Sequence, residues 1–284
     1  MSNHYRTRRY VTKGLQYLLM FAVAIFMMFP IYWIFNNSLR TLPGISEFPP
    51  RFFPTYPQFI NYLDVLRGSD ALLNLRNTMI LIIGNTTGTL ISSSIVAYPL
   101  ARMNFRGRKF IFALILSTMM VPAVTTIIPQ FILFRELGWL DSLRPMIIPS
   151  FFAFPYNVFL FRQFFMSIPK SLDEAAMIDG CNRWQIFIKV IVPLAKPAFI
   201  TITVLSSVHW WNELFLPIIY VQTPYWRPLT TGMLNGFRVQ GNALLIQWNL
   251  MMTMAMLMTI PPMTLYLFAS RYLTEGIKAT GIKE

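Results

Sequence analysis

Six long apolar segments constrain this chain of 284 residues more than any other feature of its sequence. About 20 mostly apolar residues in an α-helix cross roughly 30 Å of hydrocarbon. The segments of suitable length are Leu15–Asn36, Thr78–Leu100, Phe110–Phe134, Pro145–Phe161, Ala198–Tyr220 and Trp248–Ser270. Only 12% of the residues are charged, against about 25% in an ordinary soluble domain. The sequence therefore predicts an all-α integral membrane protein with six transmembrane helices.

The distribution of positive charge predicts the orientation of these helices. The fourth segment is short and contains Pro149 and Pro155, and without it the two termini would lie on opposite sides. Of the 24 Lys and Arg residues, 16 fall in the two tails and in the second and fourth connections: Arg6, Arg8, Arg9, Lys13, Arg102, Arg106, Arg108, Lys109, Arg162, Lys170, Arg183, Lys189, Lys196, Arg271, Lys278 and Lys283. Because positive residues are retained in the cytoplasm, we expect six spans with both termini cytoplasmic, and no nucleic-acid partner.

The domain organisation follows from these spans. We expect a basic tail over residues 1–14, one membrane domain over 15–270 and a second tail over 271–284. The connection 38–77 is external and stiffened by prolines, whereas the connection 162–197 is cytoplasmic. The first apolar run exceeds the roughly 7 to 15 residues of a signal peptide and lacks a cleavage site, which favours a retained span.

The sequence lacks the groups that catalysis or nucleotide binding requires. It contains two histidines and one cysteine, Cys181, and it has no clustered nucleophile, paired base or metal-ligand set. The run 84–90 lacks the G-K-[ST] ending of a phosphate-binding loop. We therefore predict no catalytic residue, no metal site and no bound cofactor, which disfavours a membrane-embedded enzyme.

Polar residues within the predicted spans are candidates for a substrate pathway. The fifth span carries His209, Trp210, Trp211, Asn212 and Glu213, and a carboxylate at such depth is costly unless it faces a partner or water. This group either lines a pathway or packs against another helix. Asn85 is a further pathway candidate, within the run Gly84–Gly88 of small residues that suits close helix approach.

Helix signals are dense in the polar stretch between Pro169 and Pro193. Ser171 and Glu174 have the spacing of a capping box, and Gly180 can end a short helix in the left-handed conformation. A second helix is predicted from Asn182, with Gln185 three residues on, and Pro193 is expected to close it. Small side chains at Ala175 and Ala176 would let another protein approach the first helix closely. The stretch is predicted to dock against a partner, because a helix this short is unstable alone.

This combination resembles the cytoplasmic EAA loop of binding-protein-dependent ABC importer permeases. The family pattern is EAA, three residues, Gly, nine residues and I-x-L-P, and here Glu174-Ala175-Ala176 is followed by Gly180 and Pro193, with Val190 and Val192 replacing Ile and Leu. Other stretches resemble the maltose-transporter-like carbohydrate importers: Pro30-Ile31-Tyr32, Asn37-Ser38-Leu39, Phe48-Pro49-Pro50, Asn61-Tyr62, Ala97–Arg102, Phe105–Arg108, Ile168-Pro169, Ile178-Asp179-Gly180 and Trp211-Asn212.

The resemblance implies the type I ABC importer permease (MetI-like) fold in a bacterial inner membrane. It implies a second permease, as a heterodimer, two cytoplasmic ATPase subunits that use ATP and Mg²⁺, and an external solute-binding protein that delivers a sugar. The ATPase-coupling residues would be Ser171, Leu172, Glu174, Ala175, Ala176, Met177, Asp179, Gly180 and Pro193. The alternative function is an ion- or proton-coupled carrier that uses Glu213 and His209.

Overall fold

The computed structural model describes residues 2–68, 70–239 and 242–280, with side chains placed for 12–68, 70–237 and 246–270. The basic side chains of the predicted tails at Arg6, Arg8, Arg9, Arg271, Lys278 and Lys283 therefore lie outside the described side chains. Two compact units are present, one formed by Met1–Asp70 with Asn235–Ile260 and the other by Ala71–Leu234 with Pro261–Glu284.

Helices dominate the described residues. In chain order they are α1 (Ser2–Ser38), α2 (Leu42–Ile45), α3 (Ile60–Gly68), α4 (Ala71–Arg102), α5 (Arg108–Ser117), α6 (Ala123–Glu136), α7 (Arg144–Ile147), α8 (Pro155–Ser167), α9 (Ser171–Ile178), α10 (Arg183–Ile186), α11 (Val192–Leu194), α12 (Lys196–Asn212), α13 (Phe215–Tyr220), α14 (Leu229–Gly236) and α15 (Trp248–Thr280). Short 3₁₀ turns cover Thr118–Met120, Ile148–Phe152 and Pro224–Trp226, and a π-helical turn covers Phe187–Ile191. One small antiparallel hairpin, β1 (Arg238–Val239) with β2 (Asn242–Ile246), accompanies the helices.

Three of the predicted spans are uninterrupted helices that are long and apolar enough to cross a membrane. They correspond to α1 from Thr12, to α4, and to α15 as far as Ser270. Both α1 and α15 continue through much of the tails that the sequence places outside the membrane. Two further spans arise if each of two bent helix pairs counts as one, so helix length and composition give three to five spans among the described residues.

The predicted third span is sharply bent. The segments Arg108–Met120 and Ala123–Glu136 meet at 92°. The bend lies at Val121 and Pro122, both of which have extended backbones. Proline disfavours the helical conformation in the residue before it, so Pro122 explains why the helix stops here.

The predicted fourth span, Pro145–Phe161, is not one helix. It is divided into α7, a 3₁₀ turn and α8, with a break at Ala153, where φ is +59°, and at the extended Phe154. Pro155 occupies the first turn of α8, where its missing N–H costs nothing. The prediction of one continuous fourth helix is therefore wrong, and the break lies directly before Pro155.

The predicted fifth span, Ala198–Tyr220, is also interrupted. Helix α12 ends at Asn212, and α13 begins at Phe215. Glu213, four residues before Pro217, is extended, with ψ of 121°. A proline ring clashes with the carbonyl four residues earlier in a helix, so the break falls where Pro217 requires it. At its other end α12 meets the segment Arg183–Leu194 at 73°.

In the first unit, side chains cap the end of α1. The amide of Asn61 donates to the carbonyls of Ser38 and Arg40 at 2.8 and 2.9 Å. The Thr253 hydroxyl also donates to the Ser38 carbonyl, at 3.1 Å. The last carbonyls of a helix have no partner within it. These contacts satisfy the carbonyl of Ser38, the last residue of α1, and hold the start of the predicted external connection.

The second unit is built around α4. Helices α8 and α12 pack along it, and the residues of the main apolar cluster that are fully buried are Ala97, Val158, Phe161, Phe165, Ile186, Ile191 and Ala195. Farther along α4, a Cβ added at Gly88 would lie 2.4 Å from the Ser150 Oγ. The glycine therefore allows the 3₁₀ turn after α7 to approach the helix backbone closely.

Candidate partner-docking site

Helix α9 carries most of the residues that the sequence assigns to docking. The predicted capping box is wrong at its first position, because Lys170 is the N-cap and Ser171 already lies within the helix. The first turn is closed by backbone bonds from Asp173 and Glu174 to the Lys170 carbonyl, at 3.0 and 3.2 Å. Both carboxylates remain in the first turn, where they interact favourably with the positive end of the helix dipole.

Gly180 ends this helix as predicted. Its φ is +81°, a conformation that glycine adopts without a Cβ clash. The Gly180 N–H donates to the Met177 carbonyl at 3.1 Å, and the Cys181 N–H donates to the Ala176 carbonyl at 2.9 Å. This pair of bonds is the Schellman motif, so the chain turns at a defined angle into the next helix.

The second capping box forms as predicted. The Asn182 Oδ1 accepts from the Gln185 N–H at 2.9 Å, and the Gln185 Oε1 accepts from the Asn182 N–H at 2.8 Å. Pro193, however, does not close the helix, because it lies in α11 and the break comes at Ala195. The π-helical turn Phe187–Ile191 precedes it, and such a turn alters the backbone pairing that a proline would otherwise disrupt.

One face of α9 is exposed and the other is buried. Leu172, Glu174, Ala175 and Met177 are exposed, and Ile178 retains 87% of its surface. Ala176 is 8% exposed and packs on the main apolar cluster. The two alanines therefore have different environments: Ala175 keeps the outer surface low, whereas Ala176 seats the helix on its own chain.

The exposed face continues beyond the turn at Gly180. Trp184, on α10, and Ile188, in the π-helical turn, are 54% and 47% exposed. Leu172, Met177 and Ile178 are the exposed apolar side chains of α9, and Glu174 and Asp179 are exposed carboxylates of the same stretch. We refer to these seven residues as the docking face. A face of this kind on a rigidly capped pair of helices is suited to contact with another protein.

A buried ion pair, which the sequence interpretation missed, holds α9 in place. Asp173 is 5% exposed and forms a bidentate pair with Arg102, at 2.9 Å from Nε and 2.7 Å from Nη2. Asp173 lies directly before the EAA triplet, and Arg102 lies just after the predicted second span, as the last residue of α4. Because 71 residues separate them in the sequence, local pattern analysis does not reveal their contact.

The fifth-span candidates form part of the helix break. The Glu213 Oε1 accepts from the Leu216 N–H at 2.9 Å, and its Oε2 lies 3.7 Å from the His209 Nε2. The Thr230 hydroxyl donates to the Glu213 carbonyl at 2.6 Å. The carboxylate therefore satisfies a backbone group that the break exposes, which gives Glu213 a structural function in this conformation.

The other pathway candidates occupy different environments. Trp211 is buried, Trp210 packs beside the apolar cluster around Leu81 and Tyr220, and Asn212 is exposed, with its amide donating to the Val208 carbonyl at 2.8 Å. Asn85 is fully buried, and its amide donates to the Leu81 carbonyl within α4. Their assignment to a substrate pathway stays a prediction.

Comparison with known proteins identifies the class. Residues 89–279 match the family described as "Binding-protein-dependent transport system inner membrane component". The sulfoquinovosyl glycerol transport system permease protein SmoH of Agrobacterium fabrum is 30% identical over 257 residues, which cover 90% of this chain and 89% of SmoH. The chain belongs to this family of importer permeases.

Further similarities extend over nearly the whole chain. The arabinooligosaccharides transport system permease protein AraQ of Bacillus subtilis is 29% identical over 264 residues, 92% of each chain. A chain from the crystal structure of a bacterial ABC transporter involved in the import of the acidic polysaccharide alginate superposes with a TM-score of 0.82 at 27% identity, covering 96% of this chain and 98% of that one. These findings confirm the predicted MetI-like permease fold and an integral membrane protein.

Proposed function

We propose that this protein is the permease subunit of an ATP-driven importer of a sugar or sugar derivative in a bacterial inner membrane. An external solute-binding protein delivers the substrate, and α9 couples the permease to ATPase subunits. The observation that carries the proposal is the docking face, which is exposed on one side and rigidly held on the other. The names of SmoH and AraQ, both permeases for sugar-containing compounds, support the substrate class.

The proposed assembly contains a second, homologous permease and two ATPase subunits. ATP and Mg²⁺ bind to the ATPases and no cofactor binds to this chain. Both termini and the docking face lie in the cytoplasm, as the distribution of Lys and Arg predicts. The docking face combines apolar side chains with the carboxylates of Glu174 and Asp179, next to the small Ala175. It fits a groove with a basic rim, because opposite charges at an interface favour one register over others.

The docking face can be tested by substitutions that leave the core of this chain untouched. Glu174→Lys reverses an exposed charge, and Ala175→Trp adds bulk where a partner would approach. Both variants should reach the membrane in normal amounts but lose about tenfold or more of ATPase binding and sugar uptake, as substitutions at the centre of an interface commonly do. Copurification of the ATPase and uptake by cells provide the two measurements.

Glu136→Lys is the matched control. It makes the same charge reversal at an exposed carboxylate next to Arg135, in the connection after the third predicted span, which the charge distribution places outside. Uptake should be unchanged in this variant. Normal ATPase binding and uptake in Glu174→Lys and Ala175→Trp would overturn the docking assignment.

The ion-coupled carrier predicts a different response to energy sources. Its transport should collapse when the ion gradient is dissipated at constant ATP, whereas the proposed importer should follow the ATP concentration. Glu213→Gln separates the two further, because it should abolish uptake by a carrier that protonates this carboxylate. In the proposed importer, this variant keeps an oxygen that can accept from the Leu216 N–H.

A further inference from the structure

Arg102 lies where the ends of three helices meet. It is the last residue of α4. Its Nη1 donates to the carbonyls of Phe165 and Ile168, at 3.0 and 2.6 Å, beside the end of α8. Its Nη2 donates to the Pro169 carbonyl at 3.1 Å and to the Asp173 Oδ1 at 2.7 Å, and Nε donates to Oδ2 at 2.9 Å. A guanidinium has five N–H donors, so these five bonds match its full capacity.

The electrostatic arrangement matches the helix ends. The guanidinium lies among carbonyls at the negative end of α8, and Asp173 lies in the first turn of α9, at its positive end. The side chains of Arg102 and Asp173 are 1% and 7% exposed. Buried ion pairs contribute little net stability compared with apolar packing of similar volume, so directional geometry is what this pair supplies.

Tyr98 provides a second attachment on the same face of α4. It lies one turn before Arg102, and residues four apart are neighbours on a helix surface. Its hydroxyl donates to the Arg183 carbonyl at 3.1 Å, at the start of α10, and its ring lies 5.0 Å from that of Phe187. Arg102 thus holds the start of α9, and Tyr98 holds the start of α10.

We propose that Arg102, Asp173 and Tyr98 form a two-point joint that makes the helix pair α9–α10 move as one body with α4. These three are positioning residues. They do not belong to the docking face, but they fix its angle relative to α4. A single contact would let the docking face swivel, whereas a bidentate fork and a second bond one turn away oppose rotation. The proposal rests on the proposed coupling function of α9.

The joint is tested by substitutions that weaken its geometry while preserving charge or shape. Arg102→Lys keeps the charge but loses the planar fork, Asp173→Asn keeps the shape, and Tyr98→Phe keeps the ring. The complex of this chain with its ATPases, in proteoliposomes with loaded binding protein, gives two quantities: ATPase subunits bound per permease and sugar transported per ATP hydrolysed. The first should be nearly unchanged, and the second should fall in all three variants.

Cys181 supplies an independent readout. It is half-buried, packs on the main apolar cluster and donates its N–H to Ala176. Alkylation of this thiol, followed on its own peptide by mass spectrometry, reports how often the helix pair lifts from α4. Loss of one hydrogen bond to a charged group should raise the alkylation rate about tenfold in Arg102→Lys and Asp173→Asn.

Each outcome is decisive. Unchanged transport per ATP and unchanged alkylation in assembled variants would overturn the joint, even if total stability falls. If Arg102→Lys or Asp173→Asn does not accumulate, Tyr98→Phe decides by the same two measurements. Failure of the proposed function is separate: it appears as normal uptake and ATPase binding in Glu174→Lys and Ala175→Trp, which leave the joint intact.

Discussion

Glu213 shows how a carboxylate within a predicted span can bind a backbone N–H that a helix break exposes. The sequence interpretation left open whether this carboxylate lines a pathway or packs against another helix. Its bond to the Leu216 N–H and its proximity to His209 favour the structural interpretation in this conformation. Pro217 could have indicated this break in the sequence, because a proline ring clashes with the helical carbonyl four residues earlier, here that of Glu213.

Asp141 is another residue whose hydrogen-bond partners lie far from it in the sequence. Its φ is +56°, and its Oδ1 accepts from the N–H groups of Thr223 and Gln222, at 2.8 and 3.0 Å, and from the Thr223 hydroxyl. The Thr223 N–H is the largest cause of the lowered pKa of this carboxyl. The ionised carboxylate thus clamps two connections that are separated by some 80 residues of sequence.

Asp141→Asn should remove this contribution in a pH-dependent way. Because folding lowers the pKa below its ordinary value of 3.8, the stabilisation is complete above that value and is lost as the pH falls through the lowered pKa. We expect the variant to lose about 0.5–1.5 kcal/mol at neutral pH. Thermal unfolding in detergent from neutral pH downward should show the two proteins converging in acid.

Glu47→Gln is the control for this measurement. Glu47 pairs with Arg51, four residues away at an exposed position, and such surface pairs contribute little. Its unfolding should therefore follow the wild type at every pH. A constant difference between Asp141→Asn and the wild type down to strongly acid pH would contradict the clamp.

At the scale of elements, the docking helices show which local signals suffice. Gly180 and the Asn182–Gln185 capping box were predicted correctly, because their bonds close within three to five residues. Ser171 was wrongly predicted to be the N-cap of the first helix, and Pro193 was wrongly predicted to end the second. The ion pair between Asp173 and Arg102 fixes the start of α9. Phe187 and Ile191 are buried in the core, and this burial keeps the chain helical up to Pro193.

Close packing of α4 gives a prediction at the same scale. A Cβ at Gly88 would lie 2.4 Å from the Ser150 Oγ and 2.8 Å from the Phe151 ring, and that hydroxyl already donates to the Ile147 carbonyl. Gly88→Ala should therefore destabilise the protein by about 1–3 kcal/mol, since the packed turn has to move. The loss should appear as a lower midpoint of thermal unfolding.

Gly14→Ala gives the opposite expectation. The same methyl group at Gly14, inside α1, would meet nothing within 4 Å, so the variant should gain up to about 1 kcal/mol of helix propensity. Equal effects of the two substitutions would show that propensity alone, and not the approach of the turn after α7, decides at Gly88.

At the scale of the whole molecule, the bias of Lys and Arg predicts which side of the membrane each connection faces. Cys181 is the only cysteine in the chain, so it reports this orientation without added labels. A membrane-impermeant maleimide should leave Cys181 unmodified in intact spheroplasts and should modify it in inside-out vesicles.

The matched control replaces Ser46, which is exposed in the predicted external connection. Ser46→Cys in a Cys181→Ser background should show the reverse pattern, with modification in spheroplasts. Modification of Cys181 from the outside would contradict the predicted orientation, and with it the cytoplasmic docking of α9.

The sequence by itself determined the membrane class, the three continuous spans and the stop at Gly180. These depend on apolar length and on the conformational freedom of one residue, which are local quantities. Only the tertiary structure decided which of the proline-containing spans break, which alanine of the EAA triplet is buried, and that Arg102 holds Asp173. Such outcomes depend on buried polar groups finding partners far away in the chain, and a buried charge selects its partner by geometry that no short stretch of sequence contains.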